Sequence, residues 1–76
     1  MEIIRNKLTS VTEEDLVDGV LVVPEGVREI ASRSCLGLKS LEKVVLPDGV
    51  SQIGQDAFMS CLSLKEVCFN SKCNVF

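Results

Sequence analysis

The stretch PEGVREIASRSCLGLKSLEKVVL (residues 24–46, the first copy) is followed at once by PDGVSQIGQDAFMSCLSLKEVCF (residues 47–69, the second copy), so the chain repeats with a period of 23 residues. Self-similarity at a period of about 20–50 residues is typical of a solenoid, in which each repeat forms one coil and neighbouring coils share a core. A single stack of coils is therefore predicted. The residues that match between the copies are Pro24 and Pro47, Gly26 and Gly49, Val27 and Val50, Ile30 and Ile53, Ser40 and Ser63, Leu41 and Leu64, and Val44 and Val67.

Each copy ends in a predicted strand. Val44 and Leu46 alternate with outward residues, which indicates a strand with one buried face, and Pro47 ends it because proline has no N–H to donate. The same pattern before the first copy gives three equivalent strands, around residues 21–23, 44–46 and 67–69. We predict that they form a parallel sheet with strands about 4.8 Å apart.

The middle of each copy is predicted to form a turn followed by a short helical segment. Proline and glycine in PDGV favour a turn, with Gly49 free to adopt a positive φ. Val50 and Ile53 follow as inward residues. Residues 54–61 are predicted to form a short helical turn that buries Ala57, Phe58 and Cys61.

The outward face of the predicted sheet carries an apolar row and two charge pairs. Val22, Val45 and Cys68 share one row. Glu42 is expected opposite Lys65, and Lys43 opposite Glu66, each contributing about 0.2–1 kcal/mol across the strands. This exchange of signs between neighbouring strands supports the register.

The two ends depart from the repeat. Residues 1–18 are predicted to form an N-terminal cap, with an irregular strand pair followed by a helical turn that Ser10 or Thr12 begins. At the other end, Cys73 falls in the register of Val27 and Val50, and Phe76 in that of Ile30 and Ile53. Residues 19–76 are therefore predicted to hold about two full repeats and part of a third, with an uncapped end.

Composition excludes several classes of function. The net charge is −3 and the basic residues are scattered, whereas nucleic-acid binding needs a basic patch or stripe. No stretch approaches the ~18 apolar residues of a membrane span, and the N-terminus lacks the apolar segment of a secretory signal. The expected location is cytoplasmic if the chain is complete, and extracellular or cell-surface if it is a fragment.

No catalytic, cofactor or metal site is predicted. The chain has no histidine, so Ser/His/Asp and Cys/His systems cannot assemble within it. The sequence has no CxxC pair, which a zinc site would be expected to use. The acidic run of residues 13–18 lacks the pattern of a calcium-binding loop and is better explained as the acidic start of a helix. The four cysteines occupy apolar positions of the repeat and are predicted to be buried reduced thiols, although Cys68 points outward; a disulfide framework is the alternative.

The second copy resembles a known family. Residues 41–64 carry the pattern L-x-x-V-x-L-P-D-G-V-x-x-I-G-x-x-A-F-x-x-C-x-x-L, which is similar to the BspA-like leucine-rich repeat of bacteria and some protists. The first copy departs from it at Ala31, Ser34, Cys35 and Leu38. The resemblance implies a right-handed, β-rich leucine-rich repeat solenoid with a concave parallel sheet, and it implies protein–protein recognition with no catalytic residues.

The leading hypothesis is a non-enzymatic interaction module that binds a protein partner through the concave sheet. The alternative is a self-associating chain, or a truncated fragment of a longer array such as a bacterial surface or effector protein, which stacks into a homodimer through Cys73, Val75 and Phe76 at the open C-terminal end. No nucleic-acid, membrane or cofactor partner is expected. The residues predicted to contact the protein partner are Val20, Val22, Glu42, Lys43, Val45, Lys65, Glu66 and Cys68.

Overall fold

Eight short strands form within the described part of this computed structural model, which comprises residues 1–69 in full and the backbone of residues 72–75. A single 3-10 helix, Glu13–Asp15, lies between the second and third strands of that part. The chain is thus β-rich with almost no helix. The strands are β1 (Glu2–Ile4), β2 (Lys7–Ser10), β3 (Val20–Val22), β4 (Glu29–Ile30), β5 (Lys43–Leu46), β6 (Gln52–Ile53), β7 (Glu66–Phe69) and β8 (Lys72–Val75).

The strands that end the copies form one sheet, here called sheet B, in the order β3-β5-β7-β8. Its first three strands run parallel, with Leu21 opposite Val44 and Val44 opposite Val67. The predicted parallel sheet of three strands and its register are therefore confirmed. The register follows from the period of 23 residues, which brings identical positions of successive copies side by side.

The last strand differs from the prediction. β8 runs antiparallel to β7, and its backbone pairs Cys73 with Cys68 and Lys72 with Phe69. The backbone of residues 72–75 therefore returns along β7 instead of starting a third parallel coil, so placing Cys73 in the register of Val27 and Val50 was wrong. Antiparallel pairing needs only a short connection, whereas a further parallel strand needs a crossover of a dozen or more residues.

A second sheet, sheet A, has the order β1-β2-β4-β6 and was not predicted. β1 and β2 form the antiparallel strand pair expected near the N-terminus, with a bulge between Glu2 and Ile3. β2 then pairs in parallel with β4, and β4 with β6. The N-terminal pair thus lies against the first copy, and each copy contributes one strand to each sheet.

The segment predicted as a short helical turn at residues 54–61 is a series of turns instead. Asp56 and Ser60 have φ of 63° and 62°, and the same positions of the first copy, Arg33 and Gly37, have φ of 60° and 70°. A left-handed residue at these points interrupts a right-handed helix. The helical interpretation was therefore wrong, because the repeat sets a different backbone path here.

Backbone hydrogen bonds join these turns across the copies. The amide of Cys35 donates to the carbonyl of Ala57 at 2.9 Å, and the amide of Gly54 donates to the carbonyl of Ile30 at 2.7 Å. Gly54 lies so close to the first copy that a Cβ built on it would sit 2.6 Å from the Cα of Ser32. Gly49, predicted to use a positive φ, does not, whereas Gly26 in the equivalent turn has φ of 96°.

The core lies between the two sheets and the turns. Leu8 and Ile30 reach it from sheet A, and Leu21, Val44 and Leu46 reach it from sheet B, all fully buried. It is aliphatic, as the low aromatic content of 4 % requires. Every buried side-chain nitrogen or oxygen in the described residues has a hydrogen-bond partner.

Candidate interaction surfaces

The outward face of sheet B carries two accessible valines of the predicted apolar row. Val22 is 60 % exposed and lies opposite the half-buried Val45 on the neighbouring strand. Val20, two residues before Val22 on β3, is also half-buried. Because side chains alternate along a strand, these residues share the face opposite to the core residues Leu21 and Val44.

Two ion pairs lie beside this row, both on the side where the strands begin. The Nζ atom of Lys43 lies 4.0 Å from a carboxylate oxygen of Glu66, and that of Lys65 lies 3.7 Å from a carboxylate oxygen of Glu42. Both predicted charge pairs are thus confirmed. All four side chains are at least 31 % exposed, so each pair contributes only about 0–1 kcal/mol to stability.

Cys68 departs from its predicted role at the end of the row. Its side chain is 1 % exposed and the residue is disulfide-bonded. Cys68 does lie opposite Val45 in the outward row, as predicted, but the exposed, reduced thiol expected there is wrong. The strand β8 pairs alongside β7, with Cys73 as the backbone neighbour of Cys68. An accessible part of the predicted surface remains at the other seven residues.

The other two described cysteines are free thiols, as predicted. Cys35 is fully buried, and its desolvation, partly opposed by a hydrogen bond from Ser34, raises its pKa to about 11. Burial also raises the pKa of Cys61, whose Sγ donates to the carbonyl oxygen of Cys35 at 2.9 Å. Cys61 is only half-buried, in contrast to the full burial predicted for it.

The rates of alkylation should distinguish these cysteines. With iodoacetamide at pH 8, Cys61 is expected to react slowly and Cys35 more slowly still, because the thiolate is the reactive form and both burial and a raised pKa suppress it. Cys68 should react only after reduction. Peptide mass spectrometry over a time course measures this order, with urea-unfolded, reduced protein as the control in which all sites react. Native labelling of Cys35 as fast as Cys61 would contradict the burial described here.

A second apolar surface appears on the second copy and was not predicted. The same repeat positions are buried in the first copy but open in the second: Ile30 is 0 % exposed and Ile53 is 44 % exposed. β6 is the last strand of sheet A, so no described residue pairs along its far side. We call this surface the end face; it comprises Val50, Ile53, Phe58, Cys61 and Leu64, all half-buried or exposed, and the free edge of β6.

The end face belongs to a copy with few charges. Residues 50–64 include one charged residue, Asp56, whereas the equivalent residues 27–41 include Arg28, Glu29, Arg33 and Lys39. Lys39 is replaced by Leu62, which is 85 % exposed. This difference between the copies is visible in the sequence and was the signal that could have identified the end face.

The N-terminal acidic run has a structural role at Asp15. This carboxylate accepts hydrogen bonds from the backbone amide of Thr12, at 2.9 Å, and from the Met1 amino group, at 2.9 Å. The hydrogen bond from that amino group, with the Thr12 amide second, lowers the pKa of Asp15. Thr12 thus begins the 3-10 helix, as predicted.

Other kinds of site were sought across the same part of the chain. No pocket opens among the described residues, and no three of their Cys, Asp and Glu side chains are grouped closely enough to hold a metal ion. None of their helices is long and apolar enough to cross a membrane. The predicted self-association residues, Cys73, Val75 and Phe76, lie outside the described side chains.

Comparison with known proteins gives one match. The family model described as BspA type leucine rich repeat region (6 copies) matches residues 19–76. No curated protein and no solved structure compared with the chain matches it significantly. The match covers both copies and β3, and therefore both the outward face of sheet B and the end face.

Proposed function

We propose that this chain, which belongs to the BspA-type leucine-rich repeat family, is a non-enzymatic module that binds a protein partner through the outward face of sheet B. The copies are the coils of a solenoid, and sheet B is its concave side. Repeat solenoids use such extended sheets as binding surfaces, and the family of this chain suggests an interaction module.

The observation that carries the proposal is the accessible apolar row of Val22 and Val45, with two ion pairs beside it. Val22 is 60 % exposed, so a partner that covers it removes apolar surface from water, which favours binding. The ion pairs, Lys43 with Glu66 and Lys65 with Glu42, offer both signs of charge at the border. The partner that fits is a protein segment with an aliphatic or aromatic anchor and charges of both signs on one side of it.

A non-enzymatic role is supported by the residues themselves. The chain has no histidine, so a histidine general base cannot come from it. The family's repeated positions are occupied here by core residues such as Leu41, Val44 and Leu46, all 0 % exposed, which hold the fold together.

The disulfide at Cys68 supports a location in an oxidising environment. Disulfides persist outside the cytosol and are rare within it. We therefore place the working form of the chain at a cell surface or in an extracellular space.

The test uses Val22→Lys and a matched control, Ile4→Lys, which adds the same charge to a residue of sheet A that is 52 % exposed. Peptides are selected on the wild-type chain from a random display library and titrated against each variant by fluorescence anisotropy. Val22→Lys should weaken binding about tenfold or more, because it puts an ammonium group in the apolar row. Ile4→Lys should leave binding unchanged.

Two results would count against the proposal. One is a set of selected peptides that bind Val22→Lys as tightly as the wild type, which would place the binding surface elsewhere. The other is a library from which no peptide is selected. Circular dichroism of each variant checks that the fold is kept, which is expected because both side chains are more than half exposed.

A further inference from the structure

We propose that the end face docks against the same face of a second copy of this chain, so that two copies form a symmetric dimer. This inference is independent of the proposed binding role of sheet B, because the two surfaces share no residue. It also locates self-association at residues other than the C-terminal ones that the sequence suggested.

The chain itself shows what covers the equivalent surface one repeat earlier. Val27, Ile30 and Leu41 are each no more than 2 % exposed, because the second copy stacks on the first. Their equivalents in the second copy, Val50, Ile53 and Leu64, have no described coil beyond them and remain half-buried or exposed. The end face therefore has the apolar chemistry of a surface that is buried when another repeat packs on it.

Most of the charged residues among residues 27–41 of the first copy have uncharged equivalents in the second copy. Here Arg28 and Glu29 of the first copy are replaced by Ser51 and Gln52, and Lys39 is replaced by Leu62. None of the five residues of the end face is charged, and depletion of charge at the centre is typical of a protein interface.

A second copy fits this surface better than a partner of opposite charge. In a two-fold symmetric contact, each residue meets a surface identical to its own, so a nearly neutral face is self-complementary. Asp56 is the one charge that residues 50–64 bring to such a contact.

The N-terminal end of the stack is already occupied. β1 and β2 lie over the first copy there, and Lys7 forms an ion pair with Glu29 at 3.4 Å. A head-to-tail contact would bring the neutral end face against this charged strand pair, and it would continue into a filament instead of closing. The symmetric contact closes at two copies.

Light scattering coupled to size-exclusion chromatography, run over a concentration series, tests the dimer. The wild type should approach twice the monomer mass of 8.3 kDa as concentration rises, without a covalent dimer on a non-reducing denaturing gel. Ile53→Lys should weaken association by at least about 100-fold, because symmetry brings two unpaired ammonium groups into one desolvated patch. Ile4→Lys, the matched control on β1, should dimerise as the wild type does.

An NMR dilution series of the wild type locates the contact independently of any variant. The amide signals of Ile53 and Phe58 should shift with concentration, and that of Val22 should not. The proposal is overturned by a wild type that stays at 8.3 kDa up to millimolar concentration. It is equally overturned by dilution shifts centred on Val22, by loss of the dimer in Ile4→Lys, or by a mass that grows past the dimer.

Discussion

Replacing Ile30 with alanine is expected to lower the free energy of unfolding by about 4 kcal/mol, the largest effect of any single substitution considered for this chain. Ile30 is 0 % exposed and lies on β4, between β2 on one side and β6 on the other. The truncation leaves a cavity between two coils whose backbones are tied by hydrogen bonds and cannot close over it. Since a chain of this length has a total stability of about 4–11 kcal/mol, the variant should be close to unfolded.

The second copy supplies the matched control. Ile53→Ala removes the same atoms from the equivalent repeat position, but this side chain is 44 % exposed. Its cost should be below about 1 kcal/mol, because little buried apolar surface is lost. Urea denaturation followed by circular dichroism, at a concentration low enough that association adds nothing, measures both values. Equal losses for the two variants would show that the repeat positions do not differ in burial.

The glycine of the second copy's turn gives the second large effect. Gly54→Ala is expected to cost about 3 kcal/mol, the upper part of the range for inserting a methyl group into a packed site. The new Cβ would lie 2.6 Å from the Cα of Ser32 and 2.8 Å from the carbonyl carbon of Ala31, and both are backbone atoms that cannot rotate away. The coils would have to separate, which strains the hydrogen bond from Gly54 to Ile30.

Gly49→Ala is the control for that substitution. The nearest atom to a Cβ on Gly49 is the carbonyl oxygen of Val27, at 4.0 Å, and the residue has no positive φ. The variant should keep wild-type stability or gain up to about 1 kcal/mol through the smaller entropy of its unfolded chain. Thermal melts of the pair provide the measurement. A Gly54→Ala protein as stable as Gly49→Ala would mean that the coils are less closely stacked at Ser32 than described.

Sheet B could be predicted from the sequence because two signals agree there. Alternation of apolar residues defines the strand ending at Leu46, and the copy-to-copy alignment then fixes the pairing of Val44 with Val67. The charge pairs followed from the same alignment. Sheet A gives neither signal clearly, since β4 and β6 are only two residues long and too short to show alternation.

The helical prediction at residues 54–61 failed for a different reason. Ala57 and Phe58 are compatible with a helix. Residue preferences do not reveal that Asp56 and Ser60 adopt the left-handed backbone conformation. That conformation is set by the neighbouring coil, to which this segment is hydrogen-bonded at Ala57. Tertiary contacts overrode local preference.

The exposure of the end face and the burial of Cys68 could not be predicted from the sequence, for a related reason. Equal repeat positions predict equal burial, so Ile53 was expected to be as inward as Ile30, although only Ile30 lies on a strand with a described strand on each side. The burial of Cys68 depends on the reversal of the backbone into β8, which the repeat pattern does not indicate. Both differences arise where the repetition stops.

The uniform spacing of the hydrogen bonds between copies also determines how the chain reaches its structure. The backbone amide and the hydroxyl of Ser51 both donate to the carbonyl oxygen of Arg28, 23 positions earlier. The hydroxyl of Ser32 donates to the carbonyl oxygen of Gln55, also 23 positions away. Every coil therefore closes a loop of nearly the same length, and the entropy of closure grows only slowly with length. Folding should proceed by stepwise addition of one coil to the next, with the β7–β8 hairpin free to form early on its own. The rate of folding is then set by the first pair of coils to meet and not by any contact between the two ends of the chain.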